Sequence, residues 1–153
     1  MSLALDMGVH VDSDEFGSLL YAARALEARD PARAIARYES ALALYRGDFL
    51  EENPYAEWAS EEREQRLVSY LVSAERLTKL LLEAGQYERS AYWANAILSK
   101  DPLWEQAYAL LMECYWRPGN PALAVRVYER CRKRLHEELG IEPSPGTSQL
   151  FES

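Results

Sequence analysis

The sequence predicts an all-α fold of about seven helices, antiparallel helix pairs stacked as a right-handed superhelix. Three observations carry that expectation. Two stretches share a helical pattern with a period of 34 residues, Gly85 pairing with Gly119 and Ala94 with Tyr128. Five pairs of a capping side chain followed by proline mark helix N-termini, where a missing amide costs nothing. No segment carries the period-two alternation of a strand.

A period of 34 marks the tetratricopeptide repeat, a helix pair that cannot bury its apolar face alone and so stacks on its neighbours to leave a concave surface. In the first unit, roughly residues 71–104, the close-contact positions hold Ala74, Leu77, Leu81, Gly85, Tyr87, Ser90, Ala94, Ile97 and Pro102, with Ser90 in place of the usual alanine. In the second, roughly 105–138, they hold Tyr108, Leu111, Tyr115, Gly119, Pro121, Ala124, Tyr128 and Cys131, and His136 replaces the closing proline. An upstream copy runs Asp30 to Glu39, parallel to Asn120 to Glu129. Ala34 and Ala124 are 90 residues apart, two periods plus an insertion of 22 between about Arg46 and Tyr70.

The helices are expected in this order. The first runs from about Ser13 to Ala28, with Asp12 and Glu15 spaced as cap and third helical residue. Asp30-Pro31, Asn53-Pro54, Asp101-Pro102, Asn120-Pro121 and Ser144-Pro145 start five more, the one from Pro54 running on to Glu83. The seventh restarts after Gly85-Gln86.

With 153 residues and 48% hydrophobic content, the chain is long enough for one compact domain. No apolar run is long enough to cross a membrane, no signal peptide is visible, and two cysteines do not make a disulfide framework. A cytoplasmic location is the simplest expectation. A net charge of -8 argues against this segment holding DNA by itself, because non-specific affinity comes from neutralising phosphates.

Several motifs then point to one family. Gly47-Asp48-Phe49-Leu50, Tyr55-Ala56-Glu57-Trp58 and Glu61 to Leu67 in the insertion resemble the bacterial transcriptional activation domain of regulators of the Streptomyces antibiotic regulatory protein type. So do Asp101 to Glu105, Leu110-Leu111-Met112 and the closing run Leu135 to Ser144. The resemblance covers about residues 12–151. It implies a tetratricopeptide-like domain that follows an N-terminal winged-helix DNA-binding domain and makes protein contacts. The implied partners are its own DNA-binding domain, a second regulator copy or RNA polymerase; DNA would be reached only through the winged-helix domain. Residues 1–12 are then expected to be a leader and junction, and 13–153 the activation domain proper, a middle piece of a longer regulator. The resemblance also gives Trp58 the task of pinning Phe49 and Leu50 onto the following helices. Glu51-Glu52-Asn53 departs from the family, which often has a proline there. The other function classes are a free-standing repeat scaffold or adaptor, and an enzyme. An adaptor clamp for C-terminal carboxylates would use positions held here by Val72, Glu75, Arg76, Lys79, Gln106, Ala109, Leu110 and Glu113, so a full clamp is missing.

No nucleophile and base pair, phosphate-binding glycine loop or metal-ligand spacing is visible, so neither an enzyme nor a cofactor is expected. His10 and His136 stand apart; Cys131 sits at a packing position and reads as a structural thiol. Glu51, Glu52, Glu57, Glu61, Glu62 and Glu64 form either a solvated acidic face near a helix start or a partner contact. Arg126, Arg130 and Arg134 recur every four residues, with Arg132 and Lys133 beside them. With Glu129–Lys133 and Arg134–Glu138 as helix pairs they make an ordinary exposed face; the alternative is a docking surface for an anionic partner, centred on Arg126, Arg130, Lys133 and Arg134. Most of the four tryptophans are expected in core or inter-repeat packing.

Overall fold

The computed structural model describes residues 16–44, 59–145 and 147. Within them run α1 (16–26), α2 (Pro31–Leu44), α3 (Ala59–Glu83), α4 (Tyr87–Lys100), α5 (Glu105–Trp116) and α6 (Pro121–Leu139). Pro145 and Thr147 are helical too, and no strand occurs among the described residues. The predicted start at Pro54, and Phe49, Leu50 and Trp58, lie outside the described residues. The chain divides into two compact units, Met1–Leu77 and Thr78–Ser153, the division falling inside α3.

In the first unit Asp30 caps α2 as its sequence signals, its Oδ1 accepting the Arg33 amide at 3.3 Å ahead of Pro31. The helix buries Ala34, Ile35, Tyr38, Ala41 and Leu42, one face at 3.6-residue spacing. Phe16 and Ala23 of α1 and Tyr70, Leu71, Ala74 and Leu77 of α3 are also buried.

In the second unit α4 packs on α5 and α5 on α6. The burial patterns record that order. α4 buries one face, Ser90, Trp93, Ala94, Ile97 and Leu98, whereas α5 is buried at every residue from Ala107 to Met112 because it lies between two partners. α6 buries only the stripe Ala124, Val127, Cys131 and Leu135, as an outer helix does. Trp93 is therefore core, while Trp116 is 42% exposed.

Asn120, expected to cap α6 ahead of Pro121, makes no side-chain cap bond, and two further features differ from the sequence reading. Asp101-Pro102 does not start a helix. Asp101 Oδ1 accepts the Leu103 amide at 3.0 Å and its carbonyl accepts Trp104 N–H at 3.1 Å, so Pro102 sits inside a tight turn and α5 begins at Glu105. Proline's fixed φ serves the second position of a turn as well as the first of a helix. The second difference concerns Gly85 and Gly119, read as close-contact positions. A Cβ added at either would meet nothing within 4 Å. Their φ values of 78° and 102° are the reason for glycine. Each ends a helix in a Schellman turn: Gln86 N–H reaches Leu81 O at 2.9 Å and Asn120 N–H reaches Tyr115 O at 2.8 Å.

Because only backbone strain opposes a side chain there, Gly85→Ala and Gly119→Ala are each expected to cost about 1–2 kcal/mol. Urea unfolding checks this; a neutral alanine at both would show that the turns relax.

Candidate functional site

The exposed side of α6 is set by its buried stripe. With Ala124, Val127, Cys131 and Leu135 facing inward, Arg126, Arg130, Lys133 and Arg134 face solvent. Three of them converge. Arg130, Lys133 and Arg134, with Glu137 and Tyr108 of α5, line a cleft of about 290 Å³. Arg126 lies along the same helix but does not line it. The ring of Tyr108 is 3% exposed, its hydroxyl donates to Pro102 O at 2.8 Å, and the Arg130 guanidinium sits 5.9 Å from the ring centroid. Burial raises the Tyr108 hydroxyl above its ordinary value, and Arg130 pulls it back. Sequence reasoning placed Tyr108 only as a packing residue; the spacing of α5 relative to α6 carries no local sequence signal. The ion pairs on this face are loose: Arg134 to Glu138 at 3.4 Å, and Glu129 to Arg132 at 3.4 Å, not to the predicted Lys133.

Three polar clusters lie elsewhere. In the first unit Arg76 forks onto Glu27, Nε to Oε2 at 2.7 Å and Nη2 to Oε1 at 2.8 Å, while Tyr38 OH donates to the same carboxylate. Burial works to raise the Glu27 pKa, yet the bonds from Arg76 and Tyr38 together hold it below the ordinary 4.5. Burial and then Glu27 push Tyr38 up to about 12. Near neutral pH the carboxylate is charged, the phenol protonated and the guanidinium charged, so the cluster has no group poised for proton transfer. It is a structural tie, and it removes Arg76 from any carboxylate clamp.

In the second unit the Cys114 thiol donates to Ser90 Oγ at 3.2 Å, and Ser90 donates to Thr78 O at 2.8 Å. Burial raises the Cys114 thiol, and burial pushes Cys131 to about 12, so both stay protonated and unreactive. The serine at an alanine position thus links three helices. Glu105, at the start of α5, accepts Ser144 N–H at 2.5 Å and Thr147 Oγ1–H at 2.7 Å, which ties these two residues to α5.

Among the described residues no three His, Cys, Asp or Glu side chains are grouped to hold a metal ion. Nor is any described helix long and apolar enough to cross a membrane. Of the six acidic residues singled out, the described side chain is Glu64, which is exposed. A broader open depression of about 770 Å³ lies beside the two Schellman turns, lined by residues including Tyr87, Cys114, Tyr115 and Leu123.

Comparison with known proteins identifies the family that the chain resembles in sequence. The family model described as bacterial transcriptional activator domain matches residues 11–153. Transcriptional regulator RedD of Streptomyces coelicolor is 33% identical over 140 residues, 87% of this chain and 38% of that protein. Regulatory protein AfsR of Streptomyces griseus is 31% identical over 129 residues, 84% of this chain and 13% of that protein. Regulatory protein DnrI of Streptomyces peucetius is 30% identical over 127 residues, 83% of this chain and 47% of that protein. The chain therefore spans less than half the length of each. Mycobacterium tuberculosis EmbR, solved in complex with a low affinity phosphopeptide, superimposes with a TM-score of 0.80 at 19% identity, covering 92% of this chain and 38% of that one. At that identity the likeness shows a shared helical fold.

Two outcomes are expected from the polar clusters. A carboxylate whose pKa is lower in the folded state stabilises fully above its unfolded value of 4.5 and loses that contribution as pH falls through the folded value. Glu27→Gln is expected to cost about 1 kcal/mol at pH 7, as an accessible forked pair does. The gap from wild type in thermal melts should close below pH 4.5; a gap that persists unchanged at low pH would rule out the charge as its source. Ser90→Ala restores the repeat's usual residue and leaves Thr78 O bonded within its helix, so its cost should stay near about 1 kcal/mol in urea unfolding. A loss of several times that would mean the thiol cannot lose its acceptor.

Proposed function

This chain belongs to the bacterial transcriptional activator domain family, and from that premise we propose that it is the protein-interaction and effector domain of a transcriptional regulator of the Streptomyces antibiotic regulatory protein type. Its contacts are with the regulator's own DNA-binding domain, a second regulator copy or RNA polymerase, in the cytoplasm. DNA is reached through a separate N-terminal winged-helix domain, since a net charge of -8 opposes phosphate binding by this one. The relatives RedD, AfsR and DnrI, named as regulators, support the class. The observation that carries the contact role is the exposed cationic face of α6. Arg126, Arg130, Lys133 and Arg134 stand together on a domain rich in acids, where charge complementarity selects and orients a partner. They are the proposed contact residues.

The test is transcription reconstituted with the full-length regulator. Removal of residues 13–153 is expected to leave promoter binding in place and bring activation to background. Full activation by the shortened protein would overturn the effector role. Charge reversal at Arg126 and Arg130 together is expected to lower activation about tenfold, the effect of roughly 1.4 kcal/mol at an interface, with promoter affinity kept. Unchanged activation would take the contact off this face.

A further inference from the structure

We propose that the cleft between α5 and α6 is a docking site for an acidic peptide segment of a partner protein, Arg130, Lys133 and Arg134 receiving its Asp and Glu carboxylates. The proposal rests on the interaction reading and deepens it by giving the partner a chemistry.

Charge balance comes first. The chain has 25 acidic and 17 basic residues, so a cation is on average well supplied with carboxylates. Along this stretch of α6 the balance reverses, the exposed Arg126, Arg130, Arg132, Lys133 and Arg134 outnumbering Glu129, Glu137 and Glu138. Arg130 and Lys133 form no ion pair among the described residues, and Arg134 holds Glu138 only at 3.4 Å with both side chains about half exposed. Glu137 is the one carboxylate in the lining. Three cations within two helical turns repel one another, and a bound anion relieves that repulsion.

Geometry comes second. Tyr108 is fixed by burial and by its bond to Pro102 O. Its ring in turn supports the Arg130 guanidinium, which keeps its donor edges available for a forked contact with a carboxylate. Holding Arg130 in place before binding reduces the ordering cost that a long side chain ordinarily adds. Lys133 and Arg134 stand about one turn along, so neighbouring carboxylates of one segment reach separate cations.

A peptide is favoured over nucleic acid. A long polyanion also has to run over the acidic remainder of the domain, whose net charge is -8, whereas a short segment meets only the cations of the cleft. A cleft of about 290 Å³ accommodates a few side chains rather than a duplex backbone.

The chain itself, residues 1–153, is titrated with a labelled peptide rich in Glu and Asp and followed by fluorescence anisotropy, with a labelled DNA duplex in parallel. Saturable one-site binding that weakens with salt is expected. Arg130→Glu with Lys133→Glu is expected to weaken it at least about tenfold. A charge-matched change elsewhere, Arg33→Glu with Arg37→Glu on α2, is expected to leave it within about twofold, as remote exposed charges are screened. Should the first pair lower the melting temperature, Arg130→Gln with Lys133→Gln gives the same reading without reversed charge. Equal losses for both pairs, no binding by the wild-type chain, or tighter binding of the duplex would each overturn the proposal. Activation lost on removal of residues 13–153 alongside any of these results would overturn the cleft alone and leave the effector role standing.

Discussion

The second unit depends on how closely its helices approach one another, and small buried side chains set that distance. Ser90 and Ala94 on α4, Ala107 on α5, and Ala124 and Cys131 on α6 are all 3% exposed or less. Small groups at the contact line let larger ones, Leu111, Ile97 and Leu135, fill the space beside it at the density of a protein interior. The buried stripe of α6 is then fixed in rotation. So is the opposite side of that helix, which is why a packing requirement decides where the cations point.

Polar groups obey the same logic. A serine in the contact line is tolerable because its hydroxyl both gives and receives a bond, to Thr78 O and from Cys114. The first unit uses a polar contact, the fork of Arg76 on Glu27, to hold its helices together. Charge at that half-buried contact is thus consumed by structure. The charge left for recognition is the charge that structure leaves outside.

Much of the helical order was legible because its signals are local. Asp30 with Pro31, the glycines at the ends of α3 and α5, and the 3.6-residue spacing of Ala34, Ile35, Tyr38, Ala41 and Leu42 each act over a few residues. The stripe of arginines was visible for the same reason. Its convergence on Tyr108 was not, nor was the bond between Glu27 and Arg76, residues 49 positions apart. Such pairs are set by helix packing and leave no trace in spacing. Asp101-Pro102 misled for a different reason, since one dipeptide suits both a turn and a helix start, and the backbone bonds of Leu103 and Trp104 decide between them. Gly85 and Gly119 were found at the right places with the wrong physical cause: chain reversal, not crowding, requires them.

Glu105 ties two distant stretches of the second unit together. Its carboxylate sits on α5, yet it closes the start of the segment at Ser144 and Thr147, about forty residues away. Despite burial, those bonds hold its pKa below the ordinary value, so the carboxylate is kept charged by the segment it restrains. Ser144 and Thr147 are therefore structural members of the second unit. Cutting the chain before Ser144 to obtain a tidier domain would strand that carboxylate without both of these donors. The clasp thus joins the start of α5 to Ser144 and Thr147 across the unit.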